Sequence, residues 1–110
     1  MDEASLNTLK MQFRERRAEL LQTVEAVGAR MTVVQPLATW GSAAAGLELE
    51  AVTHEREVLT DAAAAADIFL GLPEASQMIV GADVRRRYVD RALSMTREGR
   101  AALAARHVKD

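Results

Sequence analysis

The sequence predicts an all-α domain of three helices with a very long first helix. Apolar residues recur at threes and fours along most of the chain, which is the spacing of a helical face. No segment alternates apolar and polar residues over six positions, so no strand pattern survives. Two breaks divide the chain, one marked by Pro36, Gly41 and Gly46 and the other by Gly71 and Pro73.

The first helix is expected from about Asp2 to about Val34, with Asp2 or Ser5 as its cap. Its apolar stripe is Leu6, Leu9, Phe13, Leu20, Val24, Val27 and Met31. Pro36 is expected to end or kink it, because proline lacks the N–H that a helix interior needs. Residues 35–46 form a link, part helical around Leu37 to Trp40. The second helix starts between Leu47 and Thr53 and ends at Leu70, with Val58, Leu59, Ala62, Ala63, Ala66, Phe69 and Leu70 inward. Gly71 reads as the residue just past its end and Pro73 as the first residue of the next helix. That third helix runs to about Arg106, with Ala75, Met78, Ile79, Ala82, Val89, Leu93 and Thr96 inward. Gly81 and Gly99 weaken it by roughly 1 kcal/mol each relative to alanine.

The bulk properties frame one ordinary globular domain over residues 1–110, with room for one core. The net charge of −2 gives no reason to expect nucleic acid, although the last third is basic. There is no cysteine, hence no disulfide framework and no thiolate metal site. That composition suits the cytoplasm. The start, Met1-Asp2-Glu3, lacks a signal peptide's basic and apolar regions. The uncharged run 31–47 is too short and too broken to span a bilayer. No cofactor is implied: no glycine loop for phosphates, no nucleophile with a partnered base, and no histidine pair spaced for a metal.

Length argues for a partner. A first helix of about thirty residues is about 45 Å long at 1.5 Å per residue. One small domain does not cover such a helix, so a homodimer with intertwined helices is expected.

Arginines stand where the helices should be apolar. Arg17 falls in the gap of the first stripe, four after Phe13 and three before Leu20, and Arg30 follows Val27 by three. Arg86 is four after Ala82 and three before Val89. A buried guanidinium needs an anionic partner, and its planar fork suits carboxylates. Glu25, Glu55 or Glu57 could serve Arg30, and Asp83 or Asp90 could serve Arg86; so could a small dicarboxylate ligand. In 85–87 one inward arginine on a helix surface is expected.

In order along the chain, Val24-Glu25-Ala26-Val27-Gly28-Ala29-Arg30-Met31-Thr32-Val33-Val34, then Pro36-Leu37-Ala38-Thr39-Trp40-Gly41, then His54-Glu55-Arg56-Glu57-Val58-Leu59, then Gly71-Leu72-Pro73-Glu74 resemble segments of the all-helical chorismate mutases and their isochorismate-pyruvate lyase relatives. The resemblance covers roughly residues 6–97. It implies an intertwined helical homodimer and a pericyclic rearrangement or pyruvate elimination on chorismate or a related enolpyruvyl dicarboxylate. It implies that Arg30 grips a carboxylate. The second first-helix arginine of the family falls near Phe13, so Arg14 or Arg17 would serve after a register shift. The second-helix arginine falls on His54, with Arg56 two residues on. The third-helix glutamine falls on Ala92, with Tyr88, Arg91 and Arg86 nearby as substrate-binding candidates. The loop lysine falls on Gly41. Both donors to the ether oxygen are therefore absent, and each such loss typically costs two or three orders of magnitude in rate.

Two other classes stand beside this one. The chain resembles a chorismate mutase homologue that serves only as a helical dimerisation or ligand-binding module. It is also similar to small secretion-system proteins, helical hairpins with a Trp-x-Gly turn, although Trp40 and Gly41 are adjacent here and a third helix follows.

Overall fold

The structure, a computed structural model, describes residues 2–109, with side chains described for residues 2–105. It is all-helical, with no strand among the described residues. In chain order the elements are α1 (Glu3–Thr39), α2 (Ala43–Leu70), α3 (Glu74–Val84), a π-helical stretch (Arg85–Asp90), α4 (Arg91–Met95) and α5 (Arg97–Lys109).

α1 begins where Asp2 accepts the Ser5 N–H at 2.8 Å, which satisfies one of the orphan donors of the first turn. It is 37 residues long, about 55 Å at the helical rise, and so spans the molecule's 56 Å long axis. It does not stop at Val34 as expected but runs on through Pro36 to Thr39. Pro36 forfeits one backbone bond in an exposed final turn, and the helix resumes with Trp40 N–H on the Pro36 carbonyl at 3.0 Å. The expected link of twelve residues shrinks to Trp40, Gly41 and Ser42. Gly41 takes φ +95°, a conformation that glycine adopts without steric penalty. Ser42 then caps α2, accepting the Ala45 N–H at 3.2 Å, so α2 starts earlier than expected.

α1 and α2 form an antiparallel hairpin with a seam of coiled-coil spacing. On α1 the seam is Leu6, Leu9, Phe13, Arg16, Leu20, Thr23, Val27 and Arg30; on α2 it is Ala45, Glu48, Val52, Glu55, Leu59, Ala62, Ala66 and Phe69. Steps of three and four alternate throughout both sets, which keeps each set facing the other. Phe13 and Phe69 stack at the open end, ring centroids 3.8 Å apart. The apolar stripe of α1 is thus covered within one chain as far as Val27.

The third predicted helix is correct in place, and Val89, Leu93 and Thr96 are buried as expected, but its first half turns a different face inward and it is not continuous. Ala75, Met78, Ile79 and Ala82 are exposed, while Gln77 and Gly81 are buried. Gln77 goes inside because its Nε2 donates to the Phe69 carbonyl at 3.0 Å, closing the end of α2. Gly81 goes inside because a Cβ there would strike Leu9 and lie 3.1 Å from the Phe69 ring. Pro73 is extended and precedes the helix rather than opening it. Gly71 ends α2 with an ordinary negative φ of −89°. Thr96 breaks the chain again with extended backbone (φ −110°, ψ 149°). Its Oγ1 accepts the Gly99 N–H at 3.1 Å, capping α5.

No helix of the described residues is long and apolar enough to cross a membrane.

Candidate functional sites: a closed ion cage and an open arginine cleft

Arg30 and Arg16 are the two charges on the α1 seam, and they meet opposite fates. Arg30 faces Glu48 and Glu55 of the α2 seam and Glu98 of α5. Its guanidinium pairs with Glu48, with Glu98 at 2.8 Å and with Glu55 at 3.4 Å. Arg97 joins the group, its Nη2 2.5 Å from Glu48, and the Arg97 backbone N–H donates to Glu55 at 2.7 Å. Burial works against the Arg30 charge, but the carboxylates of Glu98 and Glu48 outweigh it and raise its pKa. Hydrogen bonding from Arg97 holds Glu48 below the ordinary glutamate value against partial desolvation, and Arg30 adds to it.

Arg30 is not brought together with Arg86 and Arg91 within the chain: it does not line the cleft that they share. Of the expected partners of Arg30 only Glu55 is right; Glu25 and Glu57 are exposed and elsewhere. The carboxylates of Glu48, Glu55 and Glu98 engage both Nη atoms of Arg30. The inward member of 85–87 is Arg85, which donates to Gln12 of α1 and lies 3.5 Å from Asp90. Arg86 is solvated, 79% exposed, with Asp83 at 3.2 Å. Arg17 leaves the seam to pair with Asp67 on the flank.

The other expected site residues scatter. Arg14 and His54 are exposed. Arg56 lines a shallow hollow with Met31, Thr53, Glu57 and Asp61. Tyr88 and Arg91 line another with Val58, Asp61 and Met95. Gly41 occupies the exposed turn, and Ala92 is buried, a methyl group with nothing to donate. The side chain of His107 lies outside the described residues.

Arg86 and Arg91 do meet, in a cleft of about 560 Å³ that they share with Arg16, Arg85, Asp90, Ser94 and Leu103. It lies between α1, the π-helical stretch, α4 and α5. Arg16 and Arg85 were missed in the sequence. The available signal was the choice between two fillings of one gap: Arg16, three after Phe13 and four before Leu20, fits the seam as well as Arg17 does. The structure buries Arg16 more deeply, at 22% side-chain exposure against 41%. Cage and cleft are fourteen residues apart on α1, about 20 Å at the helical rise.

A third feature is apolar. At the hairpin tip Trp40 is 88% exposed and Leu47 70%, and Val33 and Leu37 are exposed on the same face of α1 as Trp40. Among the described residues no group of histidine and carboxylate side chains is placed to hold a metal.

No family model, curated protein or solved structure matches this chain.

Proposed function

We propose that this chain is a non-catalytic helical module that self-associates as a homodimer through the tip of its α1–α2 hairpin. The observation that carries this reading is the uncovered tip. α1 extends well past Val27, its last buried residue, and presents Val33, Leu37 and Trp40 to solvent beside Leu47. Val33, Leu37 and Trp40 are spaced four and three apart and so share one face of α1, and an exposed apolar face of this kind marks an interaction surface. The run 31–47 contains no charge, so it suits a second copy of itself: an isologous contact sets the same uncharged patch against its own image.

The magnitudes favour a weak dimer. Burying two copies of Trp40 removes roughly 300–500 Å² of surface, worth roughly 8–12 kcal/mol before costs. Loss of rigid-body freedom takes about 4–15 kcal/mol back. The flanking leucines and valine then decide the balance, which points to micromolar rather than nanomolar association.

The enzymatic reading draws less support. Chorismate-like chemistry needs an arginine free to grip a carboxylate and donors at the ether oxygen. Arg30 is caged, and Gly41 and Ala92 offer no donor. A second reading has one specific observation behind it. The turn of a long helical hairpin falls on Trp40–Gly41–Ser42, which is where the secretion-system hairpins carry their Trp-x-Gly. In that reading the tip is recognised for export, and the chain would accumulate in the culture medium of its host in a Trp40-dependent way.

Trp40 is the chain's only tryptophan, which makes the tip its own probe. Its emission should be that of an exposed indole at nanomolar concentration and shift to the blue as concentration rises through the micromolar range. Emission independent of concentration would overturn the self-association reading.

A further inference from the structure

We infer that the arginine cleft binds a small phosphorylated molecule, its phosphate held by Arg16, Arg85, Arg86 and Arg91. This goes beyond self-association and does not depend on it, since the cleft and the tip lie at different places along the hairpin.

The first ground is charge. The chain carries a net charge of −2, yet this one depression gathers four arginines against a single aspartate. The local acids answer them unevenly. Arg85 has Asp90 and Arg86 has Asp83. Arg16 has Glu19 only at 4.0 Å. Among the described residues Arg91 has no carboxylate in ion-pairing range, and its Nε donates to the Met95 sulfur at 3.2 Å. This contrasts with the cage, where three glutamates enclose Arg30.

The second ground is backbone geometry. In an α-helix, side chains five residues apart diverge by about 140°. A π turn bonds residue i to i+5 and winds less per residue, which narrows that angle. The Arg85–Asp90 ion pair has this i, i+5 spacing, and Arg86 and Arg91 have it too. The π-helical stretch thus brings to one wall two arginines that a regular helix would turn apart. Single π turns occur often at functional sites.

The third ground is stoichiometry. Each guanidinium offers five N–H donors and an ionised carboxylate roughly four lone-pair positions, so one or two arginines saturate a carboxylate. A phosphate monoester carries about −1.5 to −2 charge and three strong acceptor oxygens in a tetrahedral array. Forks arriving from α1, the π stretch and α4 come from different directions, which suits a tetrahedral anion better than a planar one. The cleft volume falls within the usual range for small-molecule sites, about 300–1,000 Å³, so it has room for a carbon skeleton against Leu103. Arginine does not give up its proton in proteins, and Asp90 is engaged by Arg85, so the four guanidinium groups act here as fixed cationic donors.

The test is calorimetric titration of the intact protein with glycerol 3-phosphate at fixed ionic strength, followed in parallel by the phosphorus resonance. Saturable one-site binding is expected. Arg91→Gln and Arg16→Gln should each weaken it about tenfold or more, the usual effect of losing a hydrogen bond to a charged group. Lys10→Gln, which removes a positive charge outside the cleft, should leave it unchanged. Arg91 is exposed, so its variant should keep its helical circular dichroism; if Arg16→Gln unfolds the chain, Arg91→Gln decides. Absence of saturable binding would overturn the proposal. So would equal weakening by Lys10→Gln, which would mean diffuse charge attraction only. Succinate binding as tightly as glycerol 3-phosphate would overturn the assignment of phosphate.

Discussion

Arg30 and Glu48, the two charged residues that bracket the uncharged run 31–47, pair with each other across the hairpin. On one side of that pair the seam is buried and answered residue for residue. On the other side Ala45 is still buried, but the run carries no charge and exposes Val33, Leu37, Trp40 and Leu47. The pair is a boundary between a hairpin closed within one chain and a tip that is left open.

Arg30→Ala should destabilise the fold rather than abolish a ligand site. It removes the cation shared by Glu98 and the buried Glu55, and leaves Glu55 with the Arg97 guanidinium, 3.7 Å away. Breaking a buried pair costs about 3–5 kcal/mol; with the Arg30 side chain 27% exposed, water offsets part of that, and about 2–3 kcal/mol is expected. Urea denaturation measures it. A loss below about 1 kcal/mol would place the cage among surface ion pairs of little consequence.

Acid should loosen the same region. The pKa of Glu48 is lowered in the folded state, by Arg97 first and Arg30 next, with desolvation opposing. Its contribution is fully present above the ordinary glutamate value of 4.5, declines as pH falls below that value, and is gone once pH passes beneath the lowered folded value. Urea midpoints should be level between pH 7 and 5 and fall below it. Glu48→Gln should lower the neutral plateau and flatten the acid slope; a parallel fall in both proteins would put the effect elsewhere.

Three glycines should respond differently to one methyl group. Gly28 lies in α1 with nothing within 4 Å of an added Cβ, so Gly28→Ala should stabilise by about 0.5–1 kcal/mol through helix propensity. Gly81→Ala would push into Leu9 and Phe69 and should cost about 1–3 kcal/mol. Gly99→Ala meets the Leu93 carbonyl and Thr96, backbone that does not yield easily, and should cost more than Gly81→Ala. Thermal denaturation ranks the three, and any other order contradicts the packing described for α3 and α5.

Chorismate and isochorismate should not be consumed. Loss of the enolpyruvyl diene absorbance over the uncatalysed rate is the measurement, and no excess loss is expected. Gly41→Lys should not restore turnover and should cost about 1–3 kcal/mol, because φ +95° is strained for a side-chain-bearing residue. Ordinary enzymatic turnover, roughly 1–1,000 per second, would mean that the caged arginine opens to substrate.

The helical class and the end of α2 were legible, and the cap of α1 was narrowed to Asp2 or Ser5, because periodicity and capping are local. What escaped the sequence was decided by partners distant along the chain. Whether Arg16 or Arg17 belongs to the seam depends on the face that α2 presents. Arg85 rather than Arg86 turns inward because Gln12 of α1 waits there. Gln77 is buried and Ile79 exposed, the reverse of their polarity, because the end of α2 needs a donor and Leu9 needs the space over Gly81. The break at Thr96 depends on Glu55, more than forty residues upstream, receiving the Arg97 N–H.

Sedimentation equilibrium of the intact chain beside its Trp40→Glu variant tests the self-association reading most directly. The natural chain should move from monomer to dimer as its concentration rises through the micromolar range, and Trp40→Glu should stay monomeric with the same helicity and urea midpoint. A natural chain that remains monomeric at about 100 μM, or a dimer that Trp40→Glu leaves intact, would contradict a dimer built on the hairpin tip.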